Sequence, residues 1–465
     1  MHKLKLSCQQ FFKSPEKAFV SIGLFFGILF LLVIPPFQVP DEPNHFFRAY
    51  QISEGKFVAE KRDNIVGGLI PQSLVDSFVI WKDIPFHPES KTTKEQVFES
   101  FNISLQPNKK LFASFPNTAL YSPIPYLPQA IGIALGKAFY LSPIILMYLG
   151  RLTNLLSSVY ITFISLKIIP AFKWVFFLLA LTPMATFQRS SLSADSFINS
   201  IAILLIATIS KCAFDINKEK IVRNNIFILC LLSILLSLSK QVYFLIPFLC
   251  FLIPKYKFGT QKKYWVTCLF LSLTSAIAWI FWSFVIKEIY VPLRPDVVVS
   301  TSEQARFVLS HPGKFAVIAL NDFSLNLDRH LKQFIGVLGW LDTDLPSSLL
   351  ISYSHLLVAI ALIDSRPNVI IRFRDKSKII AVLLASIFLI YFLTYLAWNP
   401  VGKEAVEGIQ GRYFIPIAPL LFLLFYNTKL TLNIQNNKLG LVIVLYSLFV
   451  LTISLSVLIS RYYNL

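Results

Sequence analysis

Immediately after its first long apolar run the chain reads Pro40-Asp41-Glu42-Pro43-Asn44-His45. Two adjacent carboxylates stand there at an apolar boundary, where charges are costly and tend to line a cavity or find a partner. On a helical or turn backbone, neighbours i and i+1 point about 100° apart. One carboxylate can therefore face a substrate while the other is held by the structure. A second reading of the same residues makes Asp41 the N-cap of an amphipathic helix over 43–54. Few other charges fall at outer helix ends: Arg48, Arg189, Asp195, Lys240, Glu404, Glu407 and Arg412. A helix bundle brings such ends together and would form a cavity holding both carboxylates and cations. Asp195 is read as a helix cap or as part of that cavity. His45 is read as an ordinary surface or core residue, or as a partner or metal ligand beside the acidic pair. Asp342 and Asp344, in Gly-Trp-Leu-Asp-Thr-Asp, cap the following helix or contact a substrate. Glu404 and Glu407 are loop charges.

The elements that must position these residues are membrane helices. Of 465 residues, 55% are hydrophobic and only 15% are charged, against roughly 25% charged in a soluble domain. Mean hydropathy is +0.63. Many apolar runs approach the ~20 residues that cross about 30 Å of hydrocarbon. The 43 Phe residues suit lipid-facing surfaces and large core contacts. Spans are predicted over 18–36, 142–168, 171–187, 194–212, 224–239, 241–254, 264–286, 345–363, 378–397, 413–427 and 439–459. The expected fold class is an all-α membrane protein with about eleven transmembrane helices. Residues 124–138 are apolar but short and hold two prolines, which points to an interfacial or re-entrant helix. Two long polar segments, 37–120 and 287–344, are expected as outer loops. With no internal repeat and no low-complexity linker, 1–465 reads as one membrane domain.

Lys and Arg in short loops orient the chain. With the N-terminus inside, the inner loops hold Lys167 and Lys173, then Lys211 to Arg223, Lys255 to Lys263, Arg366 to Lys378, and Lys429 with Lys438. The short outer loops hold only Arg189, Lys240, Lys403 and Arg412. This pattern predicts a multi-pass protein of the plasma (inner) membrane with its N-terminus cytoplasmic and its C-terminus extracytoplasmic. It also explains the net charge of +18 without nucleic acid, since no soluble domain carries a basic stripe. The basic N-terminal stretch of Lys3, Lys5, Lys13 and Lys17 leads into a run too long for a signal peptide core, so the first span is expected to stay uncleaved. The five cysteines, Cys8, Cys212, Cys230, Cys250 and Cys268, lack metal-site spacing and fall in spans or on the inner side, so no disulfide is expected.

Six motifs, in order and across nearly the whole chain, carry a resemblance. They are VPDEPNHFFRAYQISEG at 39–55, YSPIPYLPQAIGIALGKAF at 121–139, LSADSF at 192–197, LSKQVYF at 238–244, GWLDTDLP at 339–346 and QGRYFIPIAPLL at 410–421. Together they resemble a bacterial domain-of-unknown-function family of polytopic membrane proteins placed within the GT-C glycosyltransferase superfamily. The resemblance implies a GT-C-like fold and transfer of a sugar, with inversion, from a polyprenyl-phosphate donor to an extracytoplasmic glycan or lipid-linked acceptor. It puts Asp41 and Glu42 at the catalytic position, with Asp41 as base and Glu42 positioning it or binding metal. A divalent metal is left open, because the superfamily includes members with and without one. The chemistry suits the residues: a phosphate leaving group needs charge stabilisation rather than a proton, so one carboxylate base suffices. Lys240 and Arg412 would hold the lipid phosphate, and His45, Arg48, Arg189, Asp195, Asp342 and Tyr413 would line the site. Membrane lipid is the remaining expected partner.

Two rival readings use other features. A transporter or flippase of lipid-linked sugars would be expected to show repeated halves with interrupted helices, and no such symmetry is visible. A glycan polymerase or ligase would rely on Arg and His of a late outer loop, here Arg294, Arg306, His311, Arg329 and His330.

Overall fold

The computed structural model describes residues 14–464 except 293, 295–297, 367, 428 and 431–436. Lys3, Lys5, Lys13 and Cys8 lie outside the described residues. Among those described, six helices are long and apolar enough to cross a membrane: Pro15–Val33, Pro143–Ile168, Asp195–Phe214, Gln261–Val285, Phe373–Trp398 and Lys438–Tyr462. Four shorter apolar helices accompany them, Arg223–Ser239, Gln241–Leu252, Ser347–Ile363 and Gly411–Leu423.

The helix Pro15–Val33 shows how they pack. Proline at its start costs no hydrogen bond. Its buried residues Phe19, Ile22, Gly23, Phe26, Gly27 and Phe30 recur at helical spacing, while Phe25 and Leu32 on the other side are exposed. The buried stripe rests on Pro143–Ile168, where Gly27 meets the Leu155 side chain. Small residues permit this close approach. Asp195–Phe214 is enclosed almost all round and forms the bundle's centre.

Three predicted spans are interrupted. Residues 171–187 form two helices, Lys173–Ala180 and Pro183–Arg189, with Thr182 capping the second through a 3.2 Å bond from the Ala185 amide. Proline lacks the N–H needed to continue the first helix. Pro247 and Pro416 lie in 3₁₀ segments, Ile246–Leu252 and Gly411–Ile417, for the same reason. Leu127–Ala138 is a short helix against Pro143–Ile168, in keeping with its prediction as something less than a full crossing.

The two long polar segments are folded. Residues 37–120 contain an antiparallel sheet of Glu60–Arg62, Ile65–Pro71 and Lys110–Ser114 in that order, with Glu60 opposite Gly67 and Gly67 opposite Ser114. Residues 287–344 form the helices Thr301–Ser310, Pro312–Leu325 and Leu327–Gly336.

The connections sort into two ends. At one end the Thr92 amide bonds the Tyr462 carbonyl at 2.8 Å, and Arg461 reaches both Ile84 and Asp342. At the other, the Phe172 amide bonds the Asp364 carbonyl at 3.2 Å, the Ile221 amide bonds the Lys257 carbonyl at 2.8 Å, and Asp215 bridges Val369. The first group unites segments predicted outside and the second unites segments predicted inside. The four described cysteines, Cys212, Cys230, Cys250 and Cys268, are free.

Candidate functional site

Pro35-Pro36 ends the first helix, and the chain turns sharply before Glu42–Ser53 begins. Asp41 sits at the N-cap position with φ 63°, a left-handed conformation that few non-glycine residues adopt. Its side chain makes no capping bond. One carboxylate oxygen instead accepts a 2.8 Å bond from the Asn117 amide, which itself accepts from Asn44 at 2.7 Å. Glu42 points elsewhere. It is fully buried, and Arg151 donates to both of its oxygens, from Nε at 2.9 Å and from Nη2 at 2.5 Å. The Leu192 amide adds a third bond at 3.1 Å. Arg151 also donates to the carbonyls of Ile34 and Pro35. The Glu42–Arg151 pair therefore fastens the end of the first helix and the 190–194 turn to Pro143–Ile168, and this fixes the backbone that presents Asp41.

Asp41 opens onto a cavity of about 350 Å³. Its polar lining consists of His45, Asn117, Tyr121, Asp195, Lys240, Gln410, Arg412 and Tyr413, among others. Leu238, Trp282, Ile390, Leu393 and Trp398 supply apolar lining. Lys240 donates to Asp195 Oδ1 at 2.9 Å, and its ammonium lies 4.5 Å from the centre of the Tyr413 ring. Gln188 donates to Asp195 Oδ2 at 3.1 Å. Arg412 is only 6% exposed. Its Nε donates to Gln410 at 2.7 Å, while Asp41 and Asp195 stand 3.9 Å from Nη2 and Nε respectively. Its terminal nitrogens make no hydrogen bond among the described residues. The guanidinium is thus the cation best free to take an anion, since Lys240 is already matched by Asp195.

His45 Nδ1 and the Tyr126 hydroxyl are 2.7 Å apart. Burial lowers the imidazole to about 4, although Asp41 and Asp195 pull it upward, so it is neutral at physiological pH. Burial likewise pushes the Tyr121 hydroxyl up to about 12. Among the described residues no three His, Cys, Asp or Glu side chains come together with metal-ligand spacing.

Residues 24–421 match the model of a family described as Predicted membrane protein (DUF2142). The chain belongs to this family. No curated protein and no solved structure matches it. The match within the DUF2142 chain runs from the first helix through Gly411–Leu423 and so takes in all the residues that line the cavity.

Of the ten residues assigned to the site from the sequence, Asp41, His45, Asp195, Lys240, Arg412 and Tyr413 meet in the cavity. Four do not. Glu42 is held by Arg151. Arg48 is buried and donates to Gln51 at 2.5 Å, Phe57 O at 2.8 Å and Tyr121 O at 3.0 Å, so it fixes Tyr121 from behind. Arg189 faces a separate small cavity. Asp342 accepts from Arg461 at 2.9 Å and from the Trp340 and Phe86 amides. It shapes a turn rather than capping Ser347–Ile363. Asn117, Tyr121 and Gln410 line the cavity and were not singled out. Tyr121 and Gln410 each begin a motif quoted above, whereas Asn117 has no local signal. None of Arg294, Arg306, His311, Arg329 and His330 lines it.

Proposed function

We propose that this protein is a membrane glycosyltransferase with about eleven crossings and a GT-C-like fold, moving a sugar from a polyprenyl-phosphate donor to an extracytoplasmic glycan or lipid-linked acceptor. The observation that carries the reading is the shared cavity, in which the Asp41 carboxylate and the Arg412 guanidinium, whose terminal nitrogens make no hydrogen bond among the described residues, stand together with apolar lining. The apolar lining fits a prenyl chain, and Arg412 fits its phosphate with a planar pair of donors. The acceptor hydroxyl loses its proton to Asp41. Its oxygen then bonds the anomeric carbon as the carbon–oxygen bond to phosphate breaks, and the leaving polyprenyl phosphate carries the negative charge onto Arg412. Lys240 keeps Asp195 paired and the polar lining ordered. The cavity sits at the end of the bundle predicted to face outward, which supports an extracytoplasmic reaction. The polymerase or ligase reading finds less support, since its Arg and His residues lie elsewhere.

The test is transfer by purified protein in vesicles, with radiolabelled polyprenyl-phosphate sugars offered as a panel alongside an envelope glycan extract. Donor-dependent label in the glycan, absent with Asp41→Asn, supports the proposal. Wild-type protein that transfers from no donor, or an Asp41→Asn variant as active as wild type, rejects it.

A further inference from the structure

At the end of the bundle away from the cavity, three connecting segments meet: 211–223, 254–263 and 364–378. The Ile221 amide bonds the Lys257 carbonyl at 2.8 Å, the Ile216 amide bonds the Asn368 carbonyl at 3.4 Å, and Asp215 bridges Val369. Lys257 is buried and uses its charge internally, donating to the Cys212 and Asp215 carbonyls at 3.0 and 2.9 Å. The three segments therefore form one face. They hold thirteen Lys and Arg against four Asp and Glu, so the face is strongly positive. Two of the four acids are already engaged: Asp364 accepts from the Trp174 amide at 2.7 Å and Asp375 from the Arg372 amide at 3.0 Å. Lys220, Arg223, Lys255, Lys263, Arg372 and Arg374 are exposed. The one ion pair at this end among the described residues joins Lys173 to Glu16 instead. Aromatic rings stand among these cations. Tyr256 and Phe373 are 72% and 84% exposed, and the Lys255 ammonium lies 5.3 Å from the centre of the half-exposed Trp265 ring. Arg223, Lys263 and Arg374 fall in the first turns of Arg223–Ser239, Gln261–Val285 and Phe373–Trp398, the end at which a helix dipole disfavours a cation. A bias of short-loop charge explains the sign of these residues. It does not explain their assembly into one bonded face set with exposed rings.

We propose that this face docks the anionic phospholipid headgroups of the adjoining leaflet. The cations stand at the ends of apolar helices beside exposed aromatic rings, which fits the boundary between acyl chains and headgroups. Headgroup phosphates match the charge while the rings settle at the same level. A soluble acidic protein would match the charge and leave the rings unexplained. The inference rests neither on sugar transfer nor on which end of the bundle faces the cytoplasm.

The probe is phosphatidylglycerol, titrated into the full-length protein in neutral detergent against phosphatidylcholine of the same chains, with the thermal unfolding midpoint as readout. Binding to the folded state predicts a saturable rise with phosphatidylglycerol beyond that with phosphatidylcholine. The excess should shrink as added salt screens it. Arg223→Gln, Lys263→Gln and Arg374→Gln take one charge from each segment, and none of these side chains makes a hydrogen bond or ion pair among the described residues that its loss would break. Each should raise the phosphatidylglycerol concentration giving half the effect about fivefold, the weight of one cation near an anionic membrane surface. The triple variant should lose most of the excess, whereas Arg412→Ala should keep it, which separates this face from the cavity. Equal midpoints in the two lipids overturn the proposal. So does a triple variant that responds like wild type, because the lipid would then be acting elsewhere. Glycerol 3-phosphate that reproduces the rise at equal concentration overturns it in favour of a free anion, and polyglutamate that does so overturns it in favour of an acidic protein.

Discussion

Asp41 and Glu42 are neighbours with opposite environments, and the left-handed backbone at Asp41 separates them. Their substitutions should therefore fail in different ways. Asp41→Asn should leave a protein that inserts and melts normally but transfers about 10²–10⁴ times more slowly, the usual contribution of a general base. Glu42→Gln should act on stability, because breaking a buried ion pair costs about 3–5 kcal/mol. Size-exclusion profiles and melting midpoints distinguish the two, and a Glu42→Gln protein that melts like wild type would remove the staple role. Arg412 makes the sharpest chemical prediction. Lysine keeps the charge but loses the fork, so Arg412→Lys should weaken donor binding, whereas an interfacial anchor would tolerate it. Arg412→Ala should raise the donor Kd about 10- to 150-fold, the equivalent of a charge-assisted hydrogen bond of about 1.5–3 kcal/mol. Equal donor affinity in wild type and Arg412→Ala would take the residue out of the site. His45 adds a pH signature. The unfolded chain takes up a proton below 6.5 but the folded chain only near 4, so stability is intact above 6.5 and falls as pH drops towards 4. The loss is on the order of 3 kcal/mol. Melting curves at pH 7.5 and 4.5 should converge in His45→Gln, and an unchanged gap would assign the acid sensitivity to other groups.

At the scale of elements, what the sequence reveals depends on how local the signal is. Long apolar periodicity is local, so 142–168, 194–212 and 264–286 are close to the observed Pro143–Ile168, Asp195–Phe214 and Gln261–Val285. The interruptions at Pro183, Pro247 and Pro416 have a local cause too, but hydropathy averages over a proline and hides them. Pairings across the chain leave no such trace. Arg151 lies 109 residues from Glu42 and inside an apolar run, so the sequence offers Glu42 as a site residue and says nothing of its partner. Asp195 carried two readings, and Lys240 45 residues away decides that it faces the cavity. The sheet within 37–120 escaped because its strands are short and lie among polar residues. Gly411 illustrates an element-scale constraint that only packing exposes. A Cβ there would overlap the His330 carbonyl and the Phe334 amide, both backbone atoms. Gly411→Ala should push the 3₁₀ segment Gly411–Ile417 away from Leu327–Gly336 and move Arg412 with it. We expect weaker donor binding together with a lower melting midpoint, reflecting a stability loss of about 1–3 kcal/mol from overpacking. Unaltered values of both would show that the two segments separate without cost.

For the whole molecule the deciding question is which end of the bundle faces the cytoplasm. The structure sorts the connections into two ends, and the Lys and Arg of the sequence are distributed unequally between them. One end collects Lys167, Lys173, Lys211, Lys218, Lys220, Arg223, Lys255, Lys257, Lys262, Lys263, Arg366, Arg372, Arg374 and Lys376, bound together by contacts such as Phe172 to Asp364 and Ile221 to Lys257. The opposite end carries the cavity, the two long folded segments and Arg461. Its own basic residues lie largely in those long segments, which translocate with little regard to charge. The expected orientation thus rests on the short loops, which predict the first end inside. Side chains already exposed provide the labels: Glu89 in the first long segment, Ser324 in the second, and Glu219 and Ser377 at the basic end. Single cysteines at these positions, in a background with the five native cysteines replaced, should divide cleanly in intact cells. An impermeant maleimide should modify the cysteines at 89 and 324 without lysis and those at 219 and 377 only after it. Labelling of 219 and 377 in intact cells, with protection of 89 and 324, would invert the protein and put the cavity on the cytoplasmic side, where an extracytoplasmic transfer reaction is impossible. A mixed result, with 89 and 324 on opposite sides, would break the grouping itself, since Asp342 in the second segment and Ile84 in the first are both tied to Arg461.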